Sequence, residues 1–294
     1  MEKDVLVQAM VNDEVSIYAC NITHMAEKAR EIHSLMPVGT IILGRVLAAT
    51  TMMSAMLKND KDKITVMING GGPAGTIMAV GNAELEIKGY IANPGVNPPE
   101  SEQGGFDISG AVGKDGFLTV VRDTGLGEPY VGKVKLAAGE IGEDIAEYFL
   151  VSEQQPSIVY VNTWLELDMS VLNCGGIIII PMPGCSEETL KEIEDRVGQI
   201  ANFALMSFQS DVESVLKKIF DGLDLKILDK RHPVYLCDCS RDRLKEVVVS
   251  LGEDEIKDMI EKDHGTQIKC HFCGKEYDFD EKELTELLEN AKEK

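Results

Sequence analysis

Four cysteines in the C-terminal part of the chain carry its strongest chemical signal: Cys237-Asp238-Cys239, then Cys270-His271-Phe272-Cys273-Gly274-Lys275. Two short thiol pairs joined by an intervening loop supply the four soft donors that a tetrahedral zinc ion takes, at little ordering cost per ligand. One Zn2+ per chain is expected, held by Cys237, Cys239, Cys270 and Cys273. Gly274 suits the turn after such a knuckle, where a free backbone can aim an N–H at a sulfur. His232, His264 and His271 lie close enough in sequence to compete, but four thiolates already close a structural site, so these histidines are read as surface or supporting groups. A thiol oxidoreductase would need a strand before the CxxC pair and a helix after it, to lower the attacking thiol's pKa; that pattern is missing. Cys20, Cys174 and Cys185 have no partner spacing and read as small core residues.

Other motifs are weaker. The run Gly70 to Gly75 is followed by Thr76 without a preceding lysine and lies between strand patterns, so it predicts a hairpin turn rather than a phosphate loop. No Ser/His/Asp set or carboxylate pair stands out, and most acids are expected on solvated faces. With 50 acidic against 29 basic residues the 294-residue chain has a net charge of −21, which repels nucleic acid and anionic membranes. The 44% apolar content is that of a folding chain, and the length predicts about two domains with real cores. Met1-Glu2-Lys3-Asp4 lacks the basic start and apolar run of a secretion signal, so a cytoplasmic location is expected, where cysteines stay reduced or bind metal. Ile41 to Leu57 is short for a bilayer span and is interrupted by Arg45, and reads as a buried helix.

The elements that must position the thiols follow from periodicity. Alternation over Val5–Val11 and Val15–Ala19 around Asn12-Asp13 predicts a hairpin. Met25, Ala29, Ile32 and Met36 predict a helix capped by Thr23 and ended by Pro37; Thr40 is the expected cap of the next, apolar helix. Strands are expected at 64–68, 76–80, 85–91, 118–121, 158–167 and 177–180, the last buried on both faces, with a proline-bearing loop at 93–105 and an acid-led helix at 141–151. After Pro181-Met182-Pro183-Gly184, Ser186 caps a helical segment with an apolar stripe of Leu190, Ile193, Val197, Ile200, Phe203 and Leu205; Val212 to Leu223 repeats the pattern. The fold class is α+β, with mainly antiparallel strands: an α/β domain at 1–181, a helical linker at 182–231 and a small acidic four-cysteine zinc domain at 232–294, which shows no large apolar face of its own.

The CxC and CxxC pairs occur together with Gly70-Gly71-Gly72-Pro73, Arg122-Asp123, Pro129-Tyr130-Val131-Gly132, Gly139-Glu140-Ile141 with Asp144, Tyr148-Phe149, Ser152-Glu153-Gln154-Gln155-Pro156 and Gly175-Gly176. In this order and over nearly the whole length, the chain resembles the heat-shock protein 33 family of redox-regulated chaperones. Ala74 departs from the larger apolar residue common in that family and touches no chemistry. The resemblance implies that Cys237, Cys239, Cys270 and Cys273 bind zinc when reduced and form two disulfides under oxidative stress. It implies no enzymatic activity, but ATP-independent holding of unfolding client proteins by a form that is a homodimer when active. The chemistry is compatible: four thiolates around a divalent cation stay electron-rich and open to peroxide or hypochlorous acid, and a module this small leans on its metal to fold. Loss of the metal would then uncover the Leu190–Leu205 stripe as a candidate client-binding surface. A constitutive α/β enzyme or binding protein with a purely structural zinc module is the alternative; a catalytic zinc would keep an open coordination position, which four thiolates do not leave.

Overall fold

The computed structural model describes residues 4–101 and 104–292; the charged Met1-Glu2-Lys3 and residues 102–103 of the proline-bearing loop lie outside them. The chain divides into two compact units, Met1–Leu236 and Cys237–Lys294.

In the first unit, β1 (Val5–Val11) and β2 (Val15–Asn21) form the expected hairpin, with Val11 opposite Val15. Asn12 and Asp13 take left-handed φ values of 53° and 57°, which short polar side chains tolerate. In α1 (Thr23–His33) Thr23 is not the cap. The Asp4 carboxylate accepts the His24 and Met25 N–H groups at 3.0 and 2.8 Å, while the Thr23 hydroxyl donates to Asn21 Oδ1 at 2.7 Å. Nor does Pro37 end this helix. Ser34 ends it in left-handed conformation, and Pro37 opens α2 (Pro37–Ser54), where a missing N–H costs nothing. Thr40 thus sits inside the first turn, its hydroxyl on the Met36 carbonyl at 3.1 Å, rather than at a cap. Among the described residues, α2 is the one helix long and apolar enough to cross a membrane, and it is buried almost throughout in the protein's own core, as its sequence predicts.

β3 (Lys63–Asn69), β4 (Ile77–Asn82) and β5 (Glu86–Ile91) form an antiparallel meander, with the Gly70–Gly75 run as the turn between β3 and β4. The glycines serve close backbone packing: a Cβ on Gly72 would lie 2.4 Å from the Ala111 carbonyl oxygen in α3 (Ile108–Val112). β6 (Phe117–Asp123) joins β3 on its other side and β7 (Tyr130–Lys135) joins β6. α3 and β7 are too short and too interrupted to register as periodic in sequence. In α4 (Gly142–Ser152) the wholly buried Asp144 accepts N–H bonds from Ala137, Ala138, Gly139 and Ile141 at 2.8–3.1 Å, fixing the turn that leads in. β8 (Ile158–Leu165) and β9 (Val171–Pro181) follow; β9 is longer than its Ile177–Ile180 core and is buried on both faces there.

The segment after Pro181 is helical only in part. It breaks into α5 (Glu187–Glu194), capped by Ser186 as expected, then α6 (Val197–Ala201), α7 (Phe203–Gln209) and α8 (Val212–Ile219), and it ends in β10 (Leu225–Arg231), a strand antiparallel to β1. The helical reading of residues up to 231 is corrected there. β11 (Val234–Tyr235) runs parallel to β5. The two sheets have the orders β10-β1-β2-β9-β8 and β11-β5-β4-β3-β6-β7. Their inward residues, among them Leu6, Ile178, Val66 and Ile87, form one core with α2 between them. Gly44 lets α2 approach, since a Cβ there would meet Thr163 Oγ1 at 2.5 Å. The opposite face of the first sheet, lined by Val7, Val11, Ile17, Ile177 and Ile179, is covered by Ile193, Ile200, Phe203, Val215, Leu216 and Ile219.

The second unit holds α9 (Arg241–Ser250), α10 (Glu253–Glu261), β12 (Gly265–Lys269), β13 (Glu276–Asp280) and α11 (Glu281–Lys292). It does have an apolar core of its own, small and distributed over four elements: Val248, Ile256, Tyr277, Phe279, Leu284 and Leu288.

Candidate metal centre

β12 and β13 pair with Lys269 opposite Glu276, so the chain between them must reverse in a tight knuckle, and that knuckle carries Cys270 and Cys273. The Cys270 N–H donates to the Lys275 carbonyl and the Gly274 N–H to the Cys270 carbonyl, both at 2.9 Å. Gly274 has φ 70°, the left-handed value that favours glycine, as its place in sequence predicts. Cys237 and Cys239 lie on the extended stretch just before α9, whose N-cap Ser240 accepts the Arg243 N–H at 3.2 Å.

The four sulfurs lie within 4.8 Å of one another, with Cys237 and Cys270 Sγ 3.7 Å apart and Cys239 and Cys273 Sγ 3.4 Å apart. A tetrahedron with metal–sulfur bonds of ~2.3 Å has edges of about 3.8 Å, so the donor set and its spacing fit one zinc ion. Cys270 is buried and the other three are half-buried, which is open enough for small oxidants. Burial pushes the Cys237 and Cys273 thiols up. Burial also raises Cys239, but hydrogen bonding from the Tyr277 hydroxyl and the neighbouring thiols outweighs it and brings Cys239 to about 7. Four thiols in one another's company thus contain one that ionises near neutrality, the starting point for metal capture or oxidation.

The rival histidines stand outside the cluster. His232 Nδ1 lies 2.8 Å from the Asp4 carbonyl oxygen in the first unit, His264 pairs with Glu281, and His271 is exposed. Cys20 and Cys174 are fully buried near the α2 carbonyls of Ala48 and Gly44. Burial drives Cys20 far up and Cys174 to about 12, leaving both without thiolate at neutral pH. Cys185 is half-buried and its thiol is raised by burial and by Glu14 beside it. Of the apolar stripe, Ile193, Ile200 and Phe203 are buried on the first sheet, Leu190 and Val197 are half-buried, and Leu205 points outward with 43% exposure.

Residue spacing did not single out Tyr277, whose hydroxyl lies 3.3 Å from Cys239 Sγ. The available signal was the alternation of Tyr277 and Phe279 in the strand after the CxxC knuckle. It also missed two partly buried polar groupings in the first unit. Arg45, in the middle of α2, reaches Glu140 at 2.9 Å and Asn162 at 3.3 Å; Arg122 and Tyr148 both bond Glu153. These account physically for Arg122, Glu140, Tyr148 and Glu153 in the motifs quoted above.

A family model described as Hsp33 protein matches residues 4–280. A 33 kDa chaperonin of Alkaliphilus metalliredigens is 41% identical over 290 residues, covering 98% of this chain and 99% of its own. One from Thermoanaerobacter pseudethanolicus is 42% identical, covering 99% and 100%. The crystal structure of a 33 kDa chaperonin, a heat shock protein 33 homolog from Thermotoga maritima, superposes with a TM-score of 0.89 at 31% identity and full coverage of both chains.

Proposed function

This chain belongs to the Hsp33 protein family, and from that premise we propose that it is an ATP-independent holdase chaperone, gated by the redox state of Cys237, Cys239, Cys270 and Cys273. The observation that carries the proposal is the meeting of four thiols, on two short loops, inside a unit whose own apolar core is small. Zinc, when bound, cross-links the two loops and contributes ~10–16 kcal/mol of apparent binding energy to folding the unit. The four cysteines hold it as thiolates. Oxidised pairwise to two disulfides, they have no thiolate left to offer a metal, and a unit of about 60 residues then lacks the stabilisation that its core alone does not supply.

Unfolding of the second unit is relayed, in this proposal, to the 182–231 segment that precedes it. Release of Ile193, Ile200 and Phe203 would uncover the outer face of the first sheet, including Val7, Val11, Ile17, Ile177 and Ile179. Such a face, together with the freed helices, suits apolar segments of unfolding proteins. The net charge of −21 keeps an opened chaperone soluble. We assign its action to the cytoplasm, where reduced thiols are the resting state, with a homodimer as the active form.

The test is suppression of aggregation of a chemically unfolded substrate, comparing reduced zinc-loaded protein with peroxide-oxidised zinc-free protein, without nucleotide. Activity confined to the oxidised form is expected. Equal activity in both forms would leave the cysteines a structural role only.

A further inference from the structure

We infer that Tyr277 is a positioning residue that sets the oxidation threshold of the four-thiol cluster by hydrogen-bonding Cys239; the inference rests on the redox gating proposed above. Tyr277 is 5% exposed on β13, the strand that leaves the CxxC knuckle, so the same hairpin that carries Cys270 and Cys273 delivers its hydroxyl. That hydroxyl lies 3.3 Å from Cys239 Sγ and 3.2 Å from the Cys239 carbonyl oxygen. A phenol has one proton to give, and a thiolate is an acceptor only. With Cys239 ionised the sulfur bond is charge-assisted and outcompetes the carbonyl. The ring is held by the core around Phe279 on one side and by the Lys275 ammonium, 4.9 Å from its centroid.

The consequence follows from how a thiolate is oxidised. A sulfur lone pair attacks the O–O bond of hydrogen peroxide; the S–O bond forms, O–O breaks, and hydroxide leaves, giving a sulfenic acid. A second thiolate then displaces hydroxide from that sulfur, forming S–S and breaking S–O. Lone-pair density engaged by the Tyr277 proton is withheld from the first step.

Tyr277→Phe removes the hydroxyl while keeping the ring, its packing and the lysine contact. The measurements are zinc release from the reduced, zinc-loaded full chain under excess hydrogen peroxide, followed with a chromophoric chelator, and the share of each cysteine among sulfenic acids trapped by a dimedone probe at early times. Expected are release roughly three- to tenfold faster than wild type and a raised share of label on Cys239. Phe279→Leu loosens the same core without touching a sulfur, and is expected to leave the Cys239 share at the wild-type value whatever it does to the rate. An unchanged rate in Tyr277→Phe, or a faster one with the Cys239 share unchanged or matched by Phe279→Leu, overturns the inference alone. Wild-type protein that keeps its zinc throughout overturns the redox gating and this inference with it.

Discussion

Replacing Ile193 with glutamate tests whether the helices covering the first sheet are a releasable cover or permanent core. Ile193 is 3% exposed, packed with Ile200, Phe203 and the sheet face of Val7, Ile17 and Ile179. Losing its burial costs about 1.5–3 kcal/mol. A glutamate in its place must lie there protonated, which at pH 7 adds about 4 kcal/mol, from the ~1.4 kcal/mol per unit between neutrality and an ordinary glutamate pKa. The sum, about 5–7 kcal/mol, rivals the whole stability of a typical domain, ~5–15 kcal/mol. The less costly response is for α5 to leave the sheet, since it breaks from α6 at Asp195-Arg196 and is anchored mainly by Ile193, Thr189 and the Ser186 cap. Reduced, zinc-loaded Ile193→Glu should therefore bind a hydrophobic dye and suppress aggregation without oxidant, with full zinc content. Leu205→Glu, at a position 43% exposed, should change stability by no more than about 0.5 kcal/mol and give no such activity. A folded Ile193→Glu protein without activity refutes the reasoning, and so does cooperative loss of the first unit's near-ultraviolet circular dichroism, which would make these helices permanent core.

Serine at any one of Cys237, Cys239, Cys270 or Cys273 should cost the reduced protein its tight zinc binding, measured as metal per chain after dialysis against a chelator; full retention in one variant removes that residue from the site. The Cys20→Ala, Cys174→Ala, Cys185→Ala triple variant should gain activity with peroxide as wild type does, because burial keeps Cys20 and Cys174 protonated, with a stability loss of roughly 1–2 kcal/mol for each of the two buried sulfurs. Stability should fall as pH drops below the ordinary carboxylate range. Glu14, held low by Thr189 and Ser186, Glu27 by Arg30, Asp168 by Ser170 and Asp211 by Ser214 contribute stability above that range and lose it as pH falls through their depressed native values. Asp4, raised by burial, acts in the opposite sense, and thermal melts from pH 7 to pH 3 of wild type and Glu27→Gln, whose acid loss should be smaller, check the sign.

What was legible in the sequence was what local physics decides. Cys237, Cys239, Cys270 and Cys273 announced their meeting because a knuckle is a local device, and Gly274 marked its turn. The α2 helix and the doubly buried β9 showed in their largely apolar runs. Long-range partnerships were hidden. The cap of α1 is Asp4, twenty residues away, so Thr23 looked adequate only because nothing local contradicted it. Leu225-Lys226-Ile227-Leu228-Asp229-Lys230-Arg231 falls within the segment read as a helical linker, and becomes the strand β10 because the edge of β1 is there to pair with. The Leu190–Leu205 stripe has helical spacing throughout, yet it covers the sheet face as three short helices broken at Asp195-Arg196 and at Asn202. Tyr277 was invisible for the same reason: its role is set by a sulfur on another loop.

Hydrogen exchange by mass spectrometry on the full chain, reduced with zinc against peroxide-oxidised, tests the central claim most directly. The account predicts that oxidation strips protection from β12, β13 and α9 to α11 and from α5 to α8, while α2 and the strands packed on it stay protected. Oxidised protein that suppresses aggregation while α5 to α8 and the second unit keep their reduced-state protection would contradict it.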